Sequence, residues 1–470
     1  MKWAIYPVAM ASLVLGAIWM TASGWQQPEE SVASKVGKKR GSFVTVLDYG
    51  AAGDGKTDDT AAIQTLIDAK AGSIRFPAGT YRITKPLVVE LDRVGFTSLV
   101  ADGTAVLVMA GPGPAIRFVG THAGSAAPEQ VKPEVWQRQR MPAVEGLAIL
   151  GEHAEADGIE AKGTVQFTAR GVHIRKCRHG IVLSVRNRNI LLDACHIYEN
   201  SGCGVLYDHV DLHQSNISAC HISYCRGGGV VVKGGNVRNI HIAGCDIEAN
   251  MGKDAPPTAN VLLDCADGSV AEVAITGCTI QHSKDAPQSA NIRIQGRGFM
   301  ERQGRNMPFQ CGNVTIGDNV LSDVQTNIHL TGVRGATIVG NTFWQGYSHN
   351  LLLEDCVAVA IGPNMLERNP LYAYTSLGSD GVLLRNCRDC TISGLHLHNV
   401  IQAPAGLILE KCDRLHITGC TILDCDNAGM LVKDCTRSTI TSNVIRDDRA
   451  GATSVPLKVE GGSGNELQNK

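Results

Sequence analysis

The chain has 470 residues, 44% of them hydrophobic, enough to bury one long core or two ordinary ones, and this excludes a disordered chain. Lysine and arginine number 43 against 45 aspartates and glutamates, so no summed field draws nucleic acid, an acidic membrane surface or another polyanion, and a charged ligand has to be met by local groups. Fifty-two glycines with only 5% aromatic residues suit many short strands filled by small aliphatic side chains, the composition of a solenoid.

Residues 3–22 form an apolar run behind Lys2, which reads as an export signal, and Ala22, Ser23 and Gly24 offer a soft cleavage site. The run is long for a cleaved signal, so an uncleaved membrane anchor is the alternative reading of residues 1–25. Either way the protein is expected to be secreted or held in the periplasm or cell envelope. Residues 26–41 read as a polar linker.

Residues 42–90 carry a distinctive entrance. From Val44 to Thr84 the chain runs strand, Gly-rich turn, Asp58-Asp59, a short helix expected at 60–69, then a strand-Pro-Ala-Gly-Thr-Tyr-strand hairpin. This stretch resembles the opening of the pectate-lyase superfamily, the rhamnogalacturonase/epimerase-like β-helix proteins. The resemblance implies a right-handed parallel β-helix and activity on polysaccharide. Physically, the helix is expected to lid the open end of the solenoid and cover edges that invite association. Asp54, Asp58 and Asp59 are assigned turn formation and helix N-capping, where a carboxylate meets unpaired amides.

Residues 91–465 are read as the β-helix repeats. A unit of three apolar-x-apolar strands recurs, and the residue opening its last strand is Cys195, Cys220, Cys245, Cys278, Asn319, Asn341, Asn364, Leu395, Cys420 and Asn443. The spacings are 25, 25, 33, 41, 22, 23, 31, 25 and 23 residues, a solenoid period lengthened by occasional loops. Alternation with a period of two sends every second side chain inward, and stacked parallel coils bring equivalent residues about 4.8 Å apart. Asn in the column tolerates unusual backbone angles and can share amide hydrogen bonds up the stack. Cys in the same column, and in a second column of Cys265, Cys356, Cys387, Cys412 and Cys435, reads as a packed free thiol. Disulfides between neighbouring coils are the alternative for an exported chain. Cys387-x-x-Cys390 has no second pair at zinc-finger spacing.

Function on a solenoid has to sit on outward residues. One outward column becomes an apolar stripe, Leu352, Leu383, Ile408 and Leu431, which is either covered by loops such as 365–380 or used as a protein contact. The next column reads Lys162, Ser184, Asp208, Lys233, Asp264, Gln295, Thr331, Glu354, Arg385, Glu410, Lys433 and Glu460, and its last five members alternate in sign as a charge ladder.

Ionisable groups crowd residues 157–264. The expected catalytic set is Asp208, His209, Asp211, His213, Lys233 and Asp264, and the expected substrate-binding set is Lys162, His179, Tyr198, Glu199, Tyr224 and Arg226, with His196 stacked over His221. Two acid–base routes can be drawn. In hydrolysis Asp208 would pair with Asp211 or Asp264 across a glycosidic bond. In β-elimination or epimerisation Lys233, His209 or His213 would take the proton beside a uronate carboxylate, while Arg226 or a calcium ion held by the aspartates neutralised the charge. The plain alternative makes these groups solvated decoration.

The family's subfamily motifs are missing. Asp-Asp occurs only at 58–59 and 447–448, and the Gly-His-Gly and Arg-Ile-Lys of polygalacturonase-type hydrolases are absent. The nearest segment to the Arg-x-Pro-x-x-Arg of pectate lyases, Arg368-Asn-Pro370, ends in Ala373, and the Asp-Pro-Asn-Asp of alginate epimerases is absent. The expectation is therefore a lyase, hydrolase or epimerase acting on acidic polysaccharide, without a choice among them. A non-catalytic polysaccharide-binding or envelope scaffold is the competing reading.

Overall fold

The computed structural model describes residues 43–124, 127–254, 258–296, 299–302, 305–308, 311–369, 371 and 378–468. The export segment at 3–22, the linker at 26–41 and the residues Pro370 and Ala373 lie outside them. Among the described residues no helix is long and apolar enough to cross a membrane.

Thirty-eight short strands form one continuous ladder wound as a parallel β-helix. The hand is right, as strand–crossover–parallel strand connections require. The register is the one that stacking of repeats predicts. Lys162, Ser184, Asp208, Lys233, Asp264 and Gln295 pair in order, coil on coil. The column continues through Thr331, Glu354, Arg385, Glu410, Lys433 and Glu460. Residues one step inward, such as Leu183, Tyr207, Val232, Leu263 and Ile294, are fully buried and form the core.

Helix α1 (Thr60–Asp68) covers the N-terminal end, burying Ile63, Leu66 and Ile67. The Gln64 amide donates to the Val88 carbonyl at 3.0 Å and accepts from the Val88 N–H at 2.9 Å, standing in for the strand that the first coil lacks. The three aspartates share the expected turn and capping work, and Asp54 closes its own turn by accepting from the N–H groups of Lys56 and Thr57, both at 2.8 Å. Asp58 accepts from the Thr60 N–H at 3.0 Å at the helix start. Asp59 instead turns back to the Gly-rich loop, accepting from the N–H groups of Ala52 and Gly53 at 2.6 and 3.1 Å.

The Cys/Asn column is a hydrogen-bonded ladder. Asn341 Oδ1 accepts from the backbone and side-chain N–H groups of Asn319 at 3.1 and 3.0 Å, and Asn364 repeats the pattern one coil on. Where Cys replaces Asn, its Sγ lies 3.4 Å from the preceding coil's N–H, as between Cys195 and Cys220. The unusual backbone angle falls one residue earlier than expected, on Ala194, Ala219, Gly340 and Gly419, with φ of 51°, 50°, 74° and 65°. Asn is thus held in the column by its amide rather than by its own backbone. A second amide ladder, Asn260, Asn291, Asn327 and Asn350, opens the first strand, with steps of 2.8, 2.6 and 2.7 Å. All sixteen cysteines are buried and unpaired.

The apolar stripe is not an open surface. Leu383 and Leu431 are buried, Leu352 and Ile408 are half-buried, and Ala405 and Ala428 pack against Leu431 and Ile408.

Candidate functional site

The expected site residues do not converge in one groove; the coil perimeter separates them into three groups. Lys162, Asp208, Lys233 and Asp264 stand in one column on the first strand. His209 caps that column at its bend, with Nδ1 2.9 Å from Asp208 Oδ1. His179 lies beneath, half-buried, its Nδ1 accepting from the Cys203 N–H at 3.0 Å. Burial holds His179 below the ordinary imidazole value, against the pull of Asp157 and Asp208.

A second group sits on the third strand. His173, His196, His221 and Asp246 stack in register, with His196 edge-on to His221 at 4.9 Å between ring centroids. Tyr198 stacks on His173 at 5.0 Å, and Glu199 pairs with Arg175 at 2.8 Å. Tyr224 and Arg226 lie exposed in the following turn.

Asp211 and His213 form the third group, and a local change in chain length puts them there. Eight residues separate Asp208 from Asn216 and Lys233 from His241, whereas six separate Glu410 from the equivalent His416. The two extra residues make a ledge bounded by left-handed bends at His209 (φ 46°) and Gln214 (φ 70°). On this ledge Arg186, Asp211 and Asn236 form one column, and Arg188, His213 and Arg238 the next. A loop leaving the helix at Gly120 folds over them. Its ends are pinned by Gln139, which accepts from the Thr121 N–H at 2.9 Å and donates to the Thr121 hydroxyl at 2.8 Å. Val131, Val135 and Trp136 of the loop pack on Val165.

The result is a corner cleft of about 340 Å³ lined by His122, Arg186, Asp211, His213, Asn236 and Arg238, among others. Asp211 is occupied on both oxygens, by Arg186 at 2.7 Å and Asn236 at 2.9 Å. Arg238 donates to the Ser269 carbonyl at 3.1 Å. Burial, reinforced by Arg188 and Arg238, holds His213 below the ordinary imidazole range despite Glu272. Burial, with Arg186 and Arg188, pushes His122 down to about 4. Both rings are therefore neutral at pH 7, and the buried Nδ1 of His213 has no hydrogen-bond partner among the described residues.

Around the next bend a groove of about 490 Å³ runs along the axis, lined by Gln166, Asn189, Gln214 and Asn239 with Leu191 and His241. Its four amides come from consecutive coils and share left-handed backbone, φ 61°, 55°, 70° and 56°. Reading the sequence by apolar alternation misses this groove, as it misses Arg186, Arg188, Arg238 and His122. The signal was present as Asn189, Gln214 and Asn239 at steps of 25 residues.

The carboxylates do not fit a calcium ion. Lys233 separates Asp208 from Asp264, which stand two coils and so about 9.6 Å apart, too far to share an ion held at 2.3–2.6 Å. Asp211 faces the corner cleft, bonded to Arg186 and Asn236. Among the described residues no three His, Cys, Asp or Glu side chains gather around a point. The same spread takes Asp211 away from Asp208 but leaves Asp208 and Asp264 on one face, near the separation at which two carboxylates flank a bond with a water between them.

Comparison with known proteins agrees with the fold. Residues 43–111 match the family model described as rhamnogalacturonase A/epimerase, pectate lyase-like. The tailspike protein 3 of bacteriophage CBA120 is 14% identical with a TM-score of 0.57, over 90% of this chain and 61% of the tailspike. A mutant tailspike protein of E. coli bacteriophage HK620, in complex with a pentasaccharide, is 12% identical with a TM-score of 0.53, over 90% of this chain and 80% of that one. Alginate lyase 7 of Azotobacter vinelandii is 54% identical over 43 residues, which is 8% of this chain and only 5% of the lyase. The model described as right handed beta helix region matches residues 149–280 and 326–469, more than half of the chain, and the protein belongs to that family.

Proposed function

We propose that the protein is an exported carbohydrate-active β-helix that binds an acidic polysaccharide across the corner cleft and abstracts the proton beside a uronate carboxylate, as a lyase or epimerase does. The observation that carries this reading is the Arg188–His213–Arg238 column, a neutral imidazole between two guanidinium groups on consecutive coils. Arg186 and Arg238 in the lining would hold the carboxylate and stabilise the charge that develops on it. His213, uncharged at neutral pH, would accept the proton. The amide groove alongside would take sugar hydroxyls of the neighbouring units, and Asp208, His209, Lys233 and Asp264 would meet the chain on the open first-strand face. The pentasaccharide on one tailspike of the same fold and the short lyase match point to the same class of ligand.

Elimination and epimerisation share one step, so one assay covers both. Incubation of uronate polysaccharides in deuterated solvent should exchange the proton beside the carboxylate, read by NMR, and a lyase should also yield a product with a conjugated double bond. His213→Gln should lower exchange at least 100-fold with substrate binding retained, whereas Arg238→Gln should weaken binding as well. Binding with neither exchange nor an unsaturated product in the unaltered protein would sink the catalytic reading and leave a polysaccharide-binding scaffold.

A further inference from the structure

Four coils beyond His213 the outward face carries a second cleft, of about 510 Å³, with Lys284, Arg293, His329, His349 and Leu352 in its lining. It lies roughly 19 Å along the axis from the corner cleft, and it shares no residue with it.

Arg293 is the unusual member. It occupies the outward column between Leu262 and His329, where its neighbours make it 5% exposed. Its guanidinium donates to the carbonyls of Thr258 (2.9 Å) and Gln288. No carboxylate lies within ion-pair distance of it among the described residues, although Glu354 stands nearby. Glu354 is committed elsewhere, to His329 Nε2 at 3.1 Å and to Arg385 at 2.9 Å. A buried guanidinium without a counter-charge carries a desolvation cost that carbonyl dipoles offset only in part. Two imidazoles line the same cleft: His329, next to Arg293 in its column and bonded to Glu354 and to the Thr331 hydroxyl at 3.2 Å, and His349, one coil further on in register with Thr326. Lys284 comes from the loop over the cleft, whose backbone is held by Gln325 donating to the Lys284 carbonyl at 2.7 Å. Asp285 on the same loop pairs with Lys284 at 3.1 Å, outside the buried charge.

We propose that this cleft is a second ligand site, which binds an oxyanion, either the carboxylate of an acidic sugar or a phosphate, on Arg293, His329 and His349. The missing counter-charge is the ligand's. The cleft volume accommodates one sugar-sized group, and Leu352 offers an apolar wall to its ring.

The test uses the full chain at low ionic strength, with glucuronate, inorganic phosphate and uncharged glucose as probes, read by calorimetry and by the shift in melting temperature. Glucuronate or phosphate should bind saturably and glucose should not. Saturation by glucuronate alone would assign the site to a sugar carboxylate, and saturation by phosphate alone would assign it to a phosphate group. His349→Gln and Arg293→Gln should each weaken that binding at least tenfold, while Lys56→Gln, which removes an exposed positive charge outside both clefts, should leave it unchanged. If Arg293→Gln fails to fold, His349→Gln and Lys284→Ala carry the comparison. No saturable binding of either anion, or binding that survives in the cleft variants, overturns the proposal. Loss of one glucuronate site with Arg238→Gln and of the other with His349→Gln separates a failure of this cleft from a failure of the corner cleft.

Discussion

The Asn ladder allows a sharp test of what holds neighbouring coils together. Asn341 is 1% exposed, and replacing it by Ala removes the acceptor of the Asn319 N–H at 3.1 Å and of the Asn319 amide at 3.0 Å. It also removes the donor to the Ile316 carbonyl at 3.0 Å. A buried N–H left without a partner costs about 1–3 kcal/mol, each further bond lost about 1, and the small cavity about 1 more, so the expected loss is about 4–6 kcal/mol. The chain itself supplies the control. In this column Cys278 Sγ lies 3.4 Å from the Cys245 N–H, so Asn341→Cys keeps an acceptor and fills most of the space. Its expected cost is about 1–2 kcal/mol. Denaturant titrations of the two variants, with hydrogen exchange at the Asn319 amide as a local readout, make the comparison. Equal stability of the Ala and Cys variants, or an unchanged Asn319 exchange rate in the Ala variant, would refute the view that amide bonds rather than filled volume fix the stack.

Further expectations follow from burial and charge. Leu409→Asp puts a carboxylate at a fully buried position and should abolish the cooperative melting transition followed by circular dichroism, whereas Glu410→Gln, one residue outward, should change stability by about 1 kcal/mol or less. His122 has a folded value of about 4 against an ordinary 6.5, so the unfolded chain takes the proton first. Stability should therefore be unaffected by this group above pH 6.5 and fall between about 6.5 and 4, by about 3 kcal/mol in all. His122→Gln should flatten that part of the melting-temperature profile, and an unchanged slope would show that other groups carry it.

Much of the architecture was written plainly in the chain. The apolar-x-apolar triplets and the Cys/Asn column gave the coil boundaries, and from them both outward columns came out in the register that the structure shows, from Glu160 to Lys458 and from Lys162 to Glu460. Stacking is so regular that linear spacing becomes distance. The second Asn ladder went unread although Asn260, Asn291, Asn327 and Asn350 each precede an aliphatic strand, because attention to strand ends passes over strand beginnings. The site was less legible for a different reason. Alternation says whether a side chain points in or out but not where around the perimeter a bend falls, and the two residues added after Asp208 and Lys233 carry Asp211 and His213 onto another face. Arg188 and Arg238 are not legible from any one segment, because they come to His213 from the coils on either side of it.

The sulfur columns give the molecule an internal gauge of its own opening. The neighbouring thiols Cys195 and Cys245 push the Cys220 thiol up, Cys412 does the same to Cys435, and burial adds to both, so while the wall is closed these two stay protonated and inert towards alkylating reagents. A label can then be acquired only when a winding parts from its neighbour, and the order in which Cys435 near one end and Cys220 in the middle are modified would chart where the solenoid frays first.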